Sequence, residues 1–123
     1  MKYLLIMQID REVLESLSKE EMAALQKGHG AFMDEVKASG EFIGTQALGD
    51  RGQGALIRFE DGAQQVITDG PYAEATEFMG GYYMVDVASK ERAIELAQSI
   101  PDASIPGLAV EVRPIMFEAG FDF

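Results

Sequence analysis

The 123-residue chain contains no cysteine and few basic side chains. The missing cysteine excludes disulfide bonds, thiolate catalysis and cysteine-ligated metals, and it favours a cytoplasmic protein because small secreted domains usually need cross-links. Ten lysine and arginine residues stand against 21 aspartate and glutamate residues, a net charge of -11. Nucleic acids and anionic membrane surfaces attract basic proteins, so we expect neither as a partner.

The chain also begins without a long hydrophobic run. The apolar stretch at residues 3–9 is too short for a signal-peptide core or a membrane span, and it predicts a first strand. Both of its alternating sets of side chains are apolar, which is typical of a strand covered on both faces. The length predicts a single domain over residues 1–123.

Capping and turn residues predict the order of the remaining elements. Ser18 and Glu21 form a capping box, which predicts a helix to about Ala38 that stops at Gly40. Asp61-Gly62 is typical of a tight hairpin turn. The other predicted elements are strands at 41–48 and 81–87, hairpin arms at 55–60 and 63–68, a helix at 90–100 and a last strand at 108–116.

With the hairpin treated as an insertion, the order is βαββαβ, the ferredoxin-like α+β pattern. In that pattern both helices lie on one face of an antiparallel sheet and the other face is bare. The first strand and residues 81–87 are nearly apolar on both sides. Soluble monomers rarely expose such a face, so we predict a homodimer formed by sheet-to-sheet packing.

His29 is the one histidine, and it lies on the apolar stripe of the first predicted helix. Gly28 and Gly30 flank it, and each glycine costs about 1 kcal/mol in a helix interior relative to alanine. Small flanking residues would let a ligand or another segment of backbone approach the imidazole. The alternative is a packed histidine that bonds one carboxylate or carbonyl, with the glycines at a tight helix–sheet contact.

A histidine beside a carboxylate is a general acid–base pair. Asp69 is the first choice of partner because the following Gly70-Pro71 constrains its turn. Asp102, after the second helix, is the second choice, and Asp86 is the third. The candidate catalytic residues are therefore His29, Asp69 and Asp102. Asp69 has a second interpretation as a residue that caps its own turn.

Aromatic and basic residues supply the substrate-binding candidates. Tyr72, Tyr82 and Tyr83 can line a pocket or donate a phenolic hydrogen bond, although tyrosine is also common at dimer interfaces. Arg58 and Arg113 can pair with a substrate carboxylate or with an interface acid. From this set we choose Tyr72, Tyr82 and Arg58 as substrate-binding residues.

No metal or cofactor is expected. One histidine and scattered carboxylates lack a compact ligand spacing. The glycine-rich stretch at residues 49–54 lacks the lysine and the following helix of a phosphate-binding loop.

Two stretches of sequence resemble a known family. Asp69-Gly70-Pro71-Tyr72-Ala73-Glu74, followed by Glu77 and Gly80-Gly81-Tyr82-Tyr83, resembles the signature of DGPF-domain proteins in the YCII-related family. Val110-Glu111-Val112-Arg113-Pro114-Ile115 is similar to the last strand of that family. Tyr72 departs from the pattern, which usually has phenylalanine there, and Thr76 departs from a common lysine.

The resemblance implies a ferredoxin-like dimeric α/β barrel. Members of the broader family carry a histidine on the first helix and a later aspartate, proposed as a catalytic pair, and His29 and Asp102 match these by chain order. One related member is a dehydrochlorinase acting on a chlorinated hydroxyquinol. Genes for DGPF proteins often neighbour extracytoplasmic-function sigma factors.

The sequence leaves two functions open. The first is a lyase or dehydrochlorinase-like enzyme that binds a small molecule near the dimer interface and uses a His–Asp acid–base pair. The second is a non-catalytic ligand-binding or accessory protein linked to an extracytoplasmic-function sigma factor.

Overall fold

A computed structural model describes residues 1–68 and 77–120. The elements are β1 (Lys2–Asp10), α1 (Arg11–Ser16), α2 (Lys19–Ala38), β2 (Phe42–Ala47), β3 (Leu56–Glu60), β4 (Ala63–Ile67), β5 (Glu77–Asp86), α3 (Lys90–Gln98) and β6 (Ala109–Pro114). Short 3₁₀ turns lie at Arg51–Gln53 and Pro101–Ser104.

The main sheet has four strands in the order β2-β5-β1-β6, and every neighbouring pair is antiparallel. Strands β3 and β4 pair with each other in a separate two-stranded sheet. The α+β class is therefore confirmed, and the strand order is compatible with the predicted ferredoxin-like fold with an inserted hairpin. The dimeric barrel stays a prediction.

Helix α2 begins and ends as its sequence predicts. The Ser18 hydroxyl accepts from the Glu21 amide while the Glu21 carboxylate accepts from the Ser18 amide. At the other end, Gly40 adopts a φ of 81°. The Gly40 amide donates to Lys37 and the Glu41 amide to Val36, the Schellman pattern that satisfies the last carbonyls. Within the described residues, no helix is both long and apolar enough to cross a membrane.

One face of the sheet carries the hydrophobic core. Side chains of α2 and α3 pack there against alternate residues of β1 and β5. The largest members are Tyr3, Leu5, Met7, Phe32, Tyr83, Leu96 and Ile100. Ile94 of α3 lies outside this core and is 39% exposed.

Two local features differ from the prediction. Helix α1 was not predicted, because its six residues bury no side chain and leave no periodic pattern. Strand β5 begins at Glu77 rather than at residue 81, since Glu77 pairs with Asp10 and does not belong to a solvated turn. The register shifts between Met7 and Gln8, opposite Gly80, which is a β-bulge.

The hairpin turn at Asp61-Gly62 is confirmed, with φ values of 53° and 78°. Positive φ at both central residues is the tight turn that matches strand twist. Ile57 and Val66 are cross-strand partners, and with Phe59 they form one exposed apolar side of the hairpin. We call these three residues the hairpin face.

Candidate functional site

His29 and Asp102 form a direct pair. The Nε2 atom of His29 lies 2.7 Å from Oδ1 of Asp102. His29 extends from α2 with 22% of its side chain exposed, whereas Asp102 on the 3₁₀ turn is 2% exposed. Asp102 is the one buried charged residue in the described part of the chain. A buried carboxylate needs a hydrogen-bonded partner, and His29 supplies it.

Gly28 allows the two elements to come this close. A Cβ atom at Gly28 would lie 2.9 Å from Cγ of Pro101, the residue before Asp102. The 3₁₀ turn therefore packs directly on the backbone of α2. Gly30 has no such neighbour within 4 Å, so the predicted need for close approach holds for one of the two glycines.

Tyr83 occupies the other side of the imidazole. Its hydroxyl oxygen lies 2.6 Å from Nδ1 of His29, and the two rings are stacked with centroids 5.8 Å apart. Phe32 packs against Tyr83 with ring centroids 4.7 Å apart, and Tyr83 is 3% exposed. Tyr83 is therefore fixed from two directions, and its hydroxyl is directed at the histidine.

The chemistry of the partners assigns the protons. An ionised carboxylate can only accept, so Nε2 of His29 carries a proton and donates to Asp102. In the neutral imidazole Nδ1 is then an acceptor, and Tyr83 donates to it. Burial, and next the negative charge of Asp102, raise the pKa of Tyr83 from 10.0 to about 12. Tyr83 is therefore a neutral phenol at physiological pH.

The pair and the phenol lie in the wall of a cavity of about 340 Å³. Most of the other lining groups are apolar. They are Met7, Ile9, Leu25, Met33, Ala47, Gly80 and Gly81, with Thr45 and Gln46 beside them. A Cβ at Gly80 would clash with Ile9, and one at Gly81 would lie 2.6 Å from the Gln46 carbonyl oxygen. The two glycines of the sequence signature thus shape this wall.

The other sequence-predicted residues that the structure describes do not line this cavity. Asp69 and Tyr72 lie outside the described residues. Asp86 is exposed and pairs with the amino group of Met1 at 2.9 Å. Tyr82 donates to Oε1 of Gln46 at 2.7 Å, and Arg58 lies on the hairpin, 3.0 Å from Glu60.

Neither Tyr82 nor Arg58 lines the described wall of this cavity, so the cavity gives no support for a substrate-binding role of either residue. Tyr83, which does line the cavity, directly follows Tyr82 in the sequence. Strand alternation separates the two tyrosines onto opposite faces, but both faces are apolar and the pattern alone does not say which one meets α2. In the described part of the chain, no three histidine, aspartate or glutamate side chains are grouped as a metal site requires.

Comparison with known proteins places the chain in a family. Residues 1–118 match the YCII-related domain, and the protein belongs to that family. The sequence is also 28% identical over 115 residues to the uncharacterized protein R00369 of Rhizobium meliloti, covering 94% of this chain and 92% of the relative. The resemblance found in the sequence is confirmed, and the relative's description assigns no activity.

Proposed function

We propose that the protein binds a small molecule in this cavity and acts on it by acid–base chemistry. Asp102, His29 and Tyr83 are the proton relay. The observation that carries the proposal is the continuous chain of carboxylate, imidazole and phenol, joined at 2.7 and 2.6 Å, in the wall of a largely apolar cavity. Groups of this kind, brought together in a cleft, are typical of catalytic sites.

The relay works through Tyr83 because both ring nitrogens of His29 already have partners. A substrate proton passes to the Tyr83 oxygen while the phenolic proton moves to Nδ1. The resulting imidazolium lies between the phenol and the Asp102 carboxylate, whose charge stabilises it. The reverse steps return a proton to the product. A free phenolate is not needed, which fits the raised pKa of Tyr83.

This relay suits reactions that begin with removal of a proton. If the adjacent atom carries a leaving group, the electron pair of the broken C–H bond forms a double bond and the group departs. That sequence is an elimination, so the proposed class is a lyase, with dehydrochlorination as the example that the family resemblance implies. The elimination and the reverse addition both use only Asp102, His29, Tyr83 and the substrate.

One observation favours a second function, a non-catalytic binding or accessory protein. Every nitrogen of His29 has a hydrogen-bond partner, as in a histidine that serves only to hold α2 against the 3₁₀ turn. The cavity would then bind its ligand without changing it. A link to an extracytoplasmic-function sigma factor belongs to this alternative and rests on the resemblance alone.

The proposal includes a homodimer. Its support is the hairpin face, which is exposed at all three residues, since a lone two-stranded hairpin is marginally stable without packing. Ile6 and Met84, which lie outside the core cluster, are already buried within one chain and do not need a partner to cover them. A second copy packed on the hairpin face would cover it. Light scattering at micromolar concentration tests this, and a monomeric mass contradicts it.

Exchange of carbon-bound hydrogen tests the relay without knowledge of the substrate. A panel of small ketones is incubated in deuterated buffer, and exchange beside the carbonyl is followed by NMR. We expect Tyr83→Phe and His29→Gln to lower the catalysed rate by about 100-fold, a common contribution of one acid–base group. Tyr82→Phe, the matched control, keeps the rate.

Equal exchange by the wild type and Tyr83→Phe contradicts the relay. Binding without exchange by the wild type favours the accessory function instead.

A further inference from the structure

The cavity has no basic side chain in its described lining. None of the twelve residues that line it is lysine or arginine. The chain has ten such residues, and residues 69–76 and 121–123 include none of them. No part of this chain therefore provides a lysine or arginine to the cavity.

The charge that the lining does contain is negative. Asp102 is buried beside His29, and the carboxylate faces the imidazole from 2.7 Å. If His29 becomes protonated, its charge is balanced by Asp102 at once. An anionic ligand would leave water without gaining a net positive partner, which is unfavourable in a largely apolar site.

Arg11 and Arg51 have partners of their own outside this cavity. An adjoining cavity shares Ile9 and Gly80 with the first and is lined by Arg11, which faces Asp50 at 3.6 Å. Arg51 stacks on Phe78, as Arg11 does, with 5.6 Å from its guanidinium carbon to the ring centroid. Asp50 and Glu15 also line that cavity, so its acidic side chains oppose the binding of an anion beside Arg11.

We propose that the cavity takes an uncharged, largely apolar molecule with one hydroxyl or carbonyl oxygen for the Tyr83–His29 end, and discriminates against carboxylates and phosphates. This inference deepens the proposed function and rests on the use of the cavity for a small molecule. Under this proposal neither Arg58 nor Arg113 pairs with a substrate carboxylate in this cavity, the role that the sequence left open for them beside pairing with an interface acid.

An isosteric pair of probes tests the inference. Benzamide and benzoate have nearly the same shape and differ in charge. Each is titrated into the full-length protein at pH 8, and the ring signals of His29, unambiguous because it is the one histidine, report binding by NMR. We expect benzoate to bind at least about tenfold more weakly, since it must lose its hydration without a cationic partner. Tyr83→Phe should weaken the binding of benzamide, whereas Tyr82→Phe should leave it unchanged.

The inference is overturned if benzoate binds as tightly as benzamide and still does so in Arg11→Gln, or if neither probe shifts the His29 signals. Benzoate binding that is lost in Arg11→Gln, with benzamide binding retained, would place the anion at the adjoining cavity and support the inference. This titration measures binding alone, so its outcome does not depend on the hydrogen-exchange test. Preference for benzamide without any exchange activity would support the ligand class while contradicting catalysis.

Discussion

Tyr82 and Tyr83 are neighbours on β5, yet they lie in different chemical environments. Both hydroxyls make short hydrogen bonds, of 2.7 Å to Gln46 and 2.6 Å to His29. Tyr82 points to the face away from the helices and its partner is an amide on β2. Tyr83 points into the core, and its partner is an imidazole held by a buried carboxylate.

The comparison shows that the length of a hydrogen bond does not indicate a functional residue. Burial and charge distinguish the two tyrosines, because a hydrogen bond in a low-dielectric site next to a carboxylate affects proton affinity far more than one at the surface. The same strand thus presents one phenol away from the helices and another in the wall of the cavity.

The largest expected effect comes from removing the negative charge of Asp102, which contacts the ring nitrogen of His29 that Tyr83 does not. Asp102→Asn keeps the shape but takes away the counter-charge of the imidazolium, so we expect proton exchange to fall about 100-fold or more. Unfolding free energy should drop by about 1–3 kcal/mol, as for a damaged buried hydrogen bond. Ketone exchange and urea denaturation measure the two quantities.

Asp86→Asn is the matched control, since Asp86 is an exposed aspartate in a surface ion pair. We expect it to change stability by less than about 1 kcal/mol. If both variants lost exchange rate and stability to a similar extent, the proposed role of Asp102 as the counter-charge of His29 would be contradicted.

The next effect is alkaline stability, which should separate the two tyrosines directly. Tyr83 has a pKa of about 12 in the folded protein against 10.0 ordinarily. The contribution of this pKa difference to the free energy of unfolding is fully present below pH 10. It is lost as the pH rises towards 12, because the phenol of the unfolded chain ionises first. The fall should reach about 2 kcal/mol by pH 12, since each tenfold difference in proton affinity is about 1.4 kcal/mol.

Urea denaturation from pH 9 to 12 measures this fall in the wild type and two variants. Tyr83→Phe should lack that part of the decline, and Tyr82→Phe should retain it. Parallel curves for all three proteins would show that Tyr83 is not as buried as its contacts indicate.

The two glycines beside His29 should differ by about 1 kcal/mol when each is replaced by alanine. Gly30→Ala has room and gains helix propensity, so we expect stabilisation of about 0.5–1 kcal/mol. Gly28→Ala must displace Pro101, which offsets that gain and lengthens the His29–Asp102 contact. Thermal unfolding gives the stabilities, and the His29 NMR signals should change in Gly28→Ala alone.

The smallest effect is expected at Arg58. It pairs with Glu60 on the exposed hairpin, and surface ion pairs contribute about 0–1 kcal/mol. Arg58→Gln should therefore leave benzamide binding and exchange unchanged. A clear loss of either would mean that the hairpin reaches a cavity, in this chain or in a partner copy, and would restore Arg58 as a substrate-binding residue.

Local signals in the sequence predicted most of the fold. Local hydrogen bonds or turns within a few residues explain the effects of Ser18 with Glu21, of Gly40 and of Asp61-Gly62, so these effects can be predicted without tertiary contacts. Helix α1 and the bulge at Gly80 were missed because neither depends on a periodic pattern. The bulge depends on how β1 and β5 align.

The candidate site was only half predictable. His29 could be selected because it is a single histidine on an apolar stripe, and that stripe follows from 3.6-residue periodicity alone. Its partners were not singled out from the residues alone, although the resemblance to the family matched Asp102 to it by chain order. Asp102 ranked behind Asp69, and Tyr82 was chosen where Tyr83 makes the contact.

The sequence by itself determined the order of most elements, both ends of α2, the hairpin turn and the histidine that faces the core, because these depend on neighbours in the chain. Only the tertiary structure decided which carboxylate and which phenol meet that histidine. Asp102 lies 73 residues from His29 and Tyr83 lies 54 residues away. Their contact depends on the packing of the 3₁₀ turn against Gly28 and on which face of β5 the helices cover, and both are settled by packing across the whole domain.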